Sequence, residues 1–183
     1  MRKLVITQNI TVDGAVEMLD DWFAPQAQDD ELLQELRRQR EQADALLLGR
    51  RTFEDLREYW PTQTDDTTGN TAYLNSVAKY VVSTTLTEPR WEHSTVWSGD
   101  PVQLVSALKA EQGGDIVLTG SISLAHALIA ANVVDEYRLL VYPVVQGRGA
   151  RLFPDGYTAA NLRPSAPART FPSGVTLIRY ELI

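Results

Sequence analysis

Cysteine is absent from the 183 residues, and histidine occurs only twice, as His93 and His126. The first absence excludes disulfides, thiolate metal sites and a cysteine nucleophile. The second leaves a histidine-rich metal centre without ligands, and no His–Glu pair has metal spacing. Long apolar runs are missing as well. Nothing approaches the roughly 20 residues needed to span a bilayer, and the run behind Arg2 and Lys3 stops at Ile6, so no leader peptide is read and the expected location is cytoplasmic. Positive charge is in deficit, with 17 Lys+Arg against 24 Asp+Glu and a formal net charge of −7. That balance argues against general nucleic-acid or anionic-membrane binding. It leaves room for a few arginines gathered around one phosphate.

Three familiar catalytic or nucleotide signatures are also missing. No Gly-Lys-Ser/Thr follows a glycine-rich run, so there is no Walker loop. Gly147-Arg148-Gly149 lacks the third glycine of a dinucleotide fingerprint and has no clear helix behind it. Gly120-Ser121 is no nucleophile elbow, because Ser123 stands where that motif needs glycine. His126, on the helix after Ser121, reads as a surface or interface residue and not a base.

What is present is the composition of a globular α/β chain, 44% hydrophobic and 22% charged, long enough to bury a core as one domain over 1–183. Leu46-Leu47-Leu48 reads as a strand buried on both faces, the kind found inside a parallel sheet. Gly49 turns the chain, and Arg50, Arg51 and Thr52 open a helix that Trp60-Pro61 ends. Asp115 to Leu118 repeats the pattern, followed by Thr119-Gly120-Ser121. Ser121 is read as the N-cap of a helix that turns Ile122, Ala125, Leu128 and Ile129 inward. Two strand–Gly–helix units place two anion-receptive helix ends at the carboxyl edge of one sheet, where open α/β sheets bind nucleotides.

The remaining elements follow from local pattern. A first strand spans Lys3 to Ile10 and ends in the turn Thr11-Val12-Asp13-Gly14. A helix capped by Asp29 or Asp30 runs to about Ala43, with Leu32, Leu33, Leu36 and Ala43 buried and Arg37, Arg38, Arg40 and Glu41 solvated. Thr62 to Thr71 is a surface loop. Lys79 to Thr85 is a strand ending in hydroxyls, Ser94 to Trp97 a short strand, and Asp100-Pro101 a helix start. Asp135 to Val145 is a strand that Pro143 puts at an edge or a bulge. Gly147-Arg148-Gly149 is a mobile turn, and Val175 to Leu182 a half-exposed antiparallel edge strand.

The Leu-Gly-Arg-Arg-Thr-Phe-Glu turn, Thr119-Gly120-Ser121, Thr11-Val12-Asp13-Gly14 and Val141-Tyr142-Pro143-Val144-Val145-Gln146-Gly147 occur in an order that resembles the dihydrofolate reductase superfamily. The similarity is to its branch related to the reductase domain of the riboflavin-pathway deaminase-reductase, from the first strand through Phe153. The resemblance implies a three-layer α/β fold, with a mostly parallel central sheet, helices on both faces and an antiparallel C-terminal edge hairpin. It implies NADPH as cofactor, a small pterin- or pyrimidine-like substrate reduced by hydride transfer, and a homodimer. Thr11 and Gly14 would lie over the nicotinamide. Gly49, Arg50, Arg51 and Thr52, with Thr119, Gly120, Ser121, Ile122, Ser123 and Leu124, would bind the phosphates, and Ser83 and Thr84 the adenosine end. Trp22, Trp60 and Asp13 would wall the substrate cleft. Asp30 or Glu31 would orient the ring or relay a proton, although neither copies the superfamily's acidic motif; the alternative is that both only start a helix. A non-catalytic nucleotide-binding or dimerisation module is the alternative.

Overall fold

The leucine run at 46–48 occupies the middle of an eight-stranded sheet. In this computed structural model, which describes residues 2–24, 29–159 and 162–182, β2 (Ala43–Gly49) has parallel partners on both sides. Leu46, Leu48 and Val117 point to one face, where Phe53, Trp60 and Leu74 cover them. Leu47 points to the other with Leu4, Ile6 and Leu118, and Leu104, Leu108 and Leu128 cover that side. A strand buried on both faces gains nothing from polar alternation, which explains the unbroken leucines.

The element order is β1 (Leu4–Thr11), α1 (Asp30–Glu41), β2, α2 (Arg50–Tyr59), a 3-10 turn (Trp60–Thr62), α3 (Asn70–Ser76), β3 (Ala78–Val82) and β4 (Ser94–Trp97). It continues through α4 (Pro101–Ala110), β5 (Asp115–Leu118), α5 (Ile122–Ala130), β6 (Glu136–Tyr142), β7 (Leu162–Thr170) and β8 (Thr176–Leu182). Strand order is β4-β3-β2-β5-β1-β6-β8-β7. All pairings from β4 to β6 are parallel, and β6–β8 and β8–β7 are antiparallel. Residues of α4 and α5 pack on one face, those of α1, α2 and α3 on the other. This is the dihydrofolate reductase-like three-layer arrangement with its antiparallel C-terminal hairpin.

Several local expectations change once the elements pack. β6 is an interior strand paired along its length with β1 and β8. Its ladder stops at Tyr142, so Pro143 need not donate within it and marks neither an edge nor a bulge. The edge strand on this side of the sheet is β7, and it carries Pro164 and Pro167, residues that an edge strand tolerates. β8 is therefore the second strand in. α3 lies partly inside the stretch read as loop. Its first turn is prepared by Asp66, whose carboxylate accepts from Thr68 N at 2.8 Å and Thr71 N at 2.7 Å. β3 ends at Val82, because Ser83 Oγ accepts from Thr85 N at 3.2 Å and Leu86 N at 2.9 Å and turns the chain away.

α1 has a mixed inner face. Asp29 caps it by accepting from Leu32 N at 2.8 Å. Leu32 is buried, but so are Glu35 and Gln39. Arg40 is not solvated: its guanidinium donates to Asn70 Oδ1 and to Thr68 O at 2.8 Å, and lies over the Tyr73 ring. Ala43 belongs to β2.

Candidate functional site

The two strand–Gly–helix units are neighbours, because β2 and β5 are hydrogen-bonded partners. Their turns interlock. Gly49 N donates to Ser121 Oγ at 2.8 Å, and Ser121 N donates to Thr52 Oγ1 at 2.9 Å. Gly120 N donates to Gln8 Oε1, on β1, at 3.1 Å. Ser121 sits at the N-cap position but does not cap its own helix, since its hydroxyl is engaged across the turn and its backbone is left-handed at φ 49°. Gly120 has φ 59°, and a Cβ there would lie 2.9 Å from Thr52 Cγ2. Only glycine fits that approach. Neither α2 nor α5 has a side-chain cap. The first-turn amides of Arg50, Arg51 and Thr52, and of Ile122, Ser123 and Leu124, thus make two adjacent positive helix ends at one sheet edge.

A polar cleft adjoins the α2 end. Arg50, Arg57 and Arg90 line it with Thr85, Thr87 and Glu54. Arg50 Nη1 pairs with Glu54 Oε2 at 2.9 Å, Arg57 Nη1 donates to Pro89 O at 2.8 Å, and Arg90 pairs with Glu88 at 2.9 Å. Arg51 is exposed and does not line this cleft; nor do Ser83 and Thr84, whose place is taken by the hydroxyls two and three residues further on. Arg57 and Arg90 were not singled out in the sequence. Arg57 was within reach, since Arg50, Glu54 and Arg57 share one helical face by their spacing. Arg90 lies in an irregular segment with no periodic signal.

A cavity of about 220 Å³ lies on the α1–α3 face. Thr7 and Asn9 of β1, Leu46 of β2 and Val117 of β5 form its floor, with Thr119 just beyond β5. Leu36, Gln39 and Arg40 of α1 close one side, and Phe23, Trp60 and Tyr73 supply its aromatic walls. Thr119 is the link between the regions: it lines the cavity, and the next residue, Gly120, belongs to the paired helix ends. Among the described residues, no aspartate or glutamate lines the cavity.

The other predicted residues stand elsewhere. Trp60 lines the cavity, but Trp22 packs 5.2 Å from the Tyr142 ring and donates from Nε1 to Gln146 Oε1 at 2.8 Å. Phe23, next to it, lines the cavity. Asp30 and Glu31 are exposed on the first turn of α1, with Glu31 paired to Arg169 of β7 at 2.8 Å. The cavity meets α1 one to three turns later, at Leu36, Gln39 and Arg40. Asp13 faces a turn of the chain: its carboxylate accepts from Thr11 Oγ1 at 2.6 Å, Gln146 N at 3.1 Å and Gly147 N at 2.7 Å. The Thr11 hydroxyl and these two amides hold its pKa down at about 2. The same bonds tie the Thr11–Gly14 loop to the 146–149 turn. That turn is further held by Gln146 Nε2, which donates to Glu17 O at 2.9 Å, and by Arg148, paired with Asp20 at 2.7 Å. The glycine pair there sits in a densely bonded junction. His126 meets Arg151 O at 2.9 Å on the surface. Among the described residues, no three His, Cys, Asp or Glu side chains gather to hold a metal ion. No helix among them is long and apolar enough to cross a membrane.

Paired helix ends at the carboxyl edge of a parallel sheet, next to an aromatic-walled cavity, lie where open α/β domains place their ligand sites. The chain belongs to the RibD C-terminal domain family, whose model matches residues 2–177. It is 32% identical over 188 residues to the uncharacterized protein YyaP of Bacillus subtilis, covering 98% of this chain and 95% of that one. Its fold is similar to that of a putative riboflavin biosynthesis protein from Shewanella sp. PV-4, with a TM-score of 0.74, 17% identity and 98% of each chain covered. A pyrimidine reductase-like protein from Corynebacterium diphtheriae gives a TM-score of 0.65 at 16% identity, covering 100% of this chain and 92% of that one. Family membership supports a reductase role.

Proposed function

We propose that the protein is an NADPH-dependent reductase of a small heterocycle. The observation that supports this best is the junction at Thr119-Gly120, where an aromatic-walled cavity meets two uncapped helix ends. NADPH, when bound, would supply the hydride. The chain's own groups fit such a cofactor. First-turn amides of α2 and α5 would donate to the pyrophosphate, and Gly120, which has no Cβ, would leave room for its approach. Arg50, Arg57 and Arg90 line the cleft beside α2 and would hold an additional phosphate there, with charge-assisted bonds that would favour NADPH over NADH. Thr11 and Gly14 follow β1 at the same sheet edge and would border the nicotinamide, and the cavity would receive the acceptor.

Because no carboxylate lines the cavity, the proton that accompanies hydride transfer comes from water or from the substrate's own exchangeable groups. The role of Gln39, Arg40 and the aromatic walls is then to bind, to orient and to exclude bulk water. Titration with NADPH and NADH, followed by loss of NADPH absorbance on adding pyrimidine and pterin acceptors, tests the proposal. Preferential NADPH binding with acceptor-dependent oxidation is expected. Equal affinity for the two cofactors, or no binding, would overturn it, and tight binding without any oxidation would favour a nucleotide-binding module.

A further inference from the structure

The cleft beside α2 carries its own anions. Its lining holds Glu54 and Glu88 as well as Arg50, Arg57 and Arg90. Glu54 Oε2 stands 2.9 Å from Arg50 Nη1, one turn along the helix. Glu88 Oε2 accepts from Arg90 twice, from Nε at 3.1 Å and from Nη2 at 2.9 Å. Arg57 differs from both. Its Nη1 donates to a neutral backbone oxygen, Pro89 O, at 2.8 Å, and its guanidinium lies 5.6 Å from the centre of the Phe53 ring. Among the described residues, no carboxylate pairs with Arg57.

Three guanidiniums against two carboxylates leave the lining with a net charge of +1. A phosphate monoester brings about −1.5 to −2 at neutral pH. It therefore meets one uncompensated cation and two that are already shared. At about 680 Å³ the cleft has room for a phosphate while both carboxylates stay, so they act through charge and not by filling space. Both pairs reach solvent, with side chains 28% exposed at Glu54 and 68% at Glu88. Such pairs contribute little to stability and are free to exchange partners. Their effect on an entering anion is larger. Each carboxylate repels it and competes with it for an arginine.

We propose that Glu54 and Glu88 are specificity-determining counter-ions of this cleft. They compete with the additional phosphate of the cofactor for Arg50 and Arg90, lower the preference for NADPH over NADH, and leave Arg57 as the cation that sustains it. This rests on the reductase reading in taking the cleft as the place of that phosphate.

Titration of the whole protein with NADPH and with NADH tests this in the parent, in Glu54→Gln, in Glu88→Gln and in the double variant. Glutamine keeps the shape of glutamate and removes its charge. Each single change should raise NADPH affinity by about threefold, and both together by about tenfold, with NADH affinity altered by less than about twofold. The gain should largely vanish near 1 M salt, where charges more than about 3 Å apart are screened. A purely structural effect would move both cofactors together and persist in salt. An NADPH preference that is unchanged or reduced in the double variant, or a gain that ignores salt, would overturn the counter-ion role alone. Equal affinities in the parent that become an NADPH preference in the double variant would support that role and overturn the cofactor assignment of the reductase reading. Binding of neither cofactor to any of the four proteins would overturn both.

Discussion

At the scale of single residues, charge is placed where helix geometry and sheet topology bring it together. Arg50 and Arg57 reach one cleft because seven positions on a helix are two turns, and Arg90 arrives from the segment before β4. Replacing Arg57 and Arg90 by alanine should weaken NADPH binding by about tenfold or more and leave NADH binding within about twofold, since charge-assisted phosphate bonds contribute roughly 1.5–3 kcal/mol. Parallel titrations of the double variant check this. Asp30 and Glu31 face solvent and β7 and lie away from the cavity. An Asp30→Asn, Glu31→Gln protein should therefore keep NADPH oxidation within about threefold of the parent, as acids outside the site alter transition-state stabilisation little. A hundredfold loss would return them to the proton pathway.

At the scale of elements, two devices replace local side-chain caps. Ser121 gives its hydroxyl to Gly49 and leaves α5 open, and Gly120 makes that exchange possible by coming against Thr52. Gly120→Ala should lower stability by about 1 kcal/mol or more, through left-handed strain and the clash with Thr52, and lower NADPH affinity with it. Thermal unfolding and cofactor titration on the same sample separate the two losses. Asp66 serves α3 from four residues before its first residue. Partial burial opposes its ionisation, but bonds from Thr68 and Thr71 outweigh this and set its pKa at about 2, against an ordinary 3.8. A depressed carboxylate stabilises the fold fully above the ordinary value and loses that contribution as pH falls toward 2. Asp66→Asn should thus cost about 1 kcal/mol near neutrality. The gap between variant and parent should shrink below pH 3.8, as urea unfolding over acid pH would show.

At the scale of the whole molecule, a homodimer is the expected assembly. β6 cannot supply a free edge, being paired on both sides, and the prolines of β7 discourage strand addition. The exposed apolar side chains are instead concentrated on the two bonded loops, with Val12 62% and Val145 72% exposed beside Met18 and Leu19. Patches of this kind favour association. Sedimentation at micromolar concentration should give a dimer that Val12→Asp, Val145→Asp dissociates, and a monomeric parent protein would contradict the expectation.

The sequence by itself determined the parallel centre and its two strand–Gly–helix turns, because those features repeat over short distances. Leu46-Leu47-Leu48, the two strand–Gly–helix units and Asp100-Pro101 each express their structure within a few residues. Only the tertiary structure decided what happens between segments far apart in the chain. Glu35 and Gln39 look like surface positions on α1 until Arg179 and Arg169 arrive from the hairpin. Asp13 looks like a ligand of the cleft until the 146–147 amides close on it. Ser121 looks like a cap until β2 lies beside β5 and Gly49 claims its hydroxyl. Backbone preference and hydrophobic period are local quantities, legible along the chain. The partner of a buried polar group is set by which strands become neighbours, and that is a property of the folded sheet.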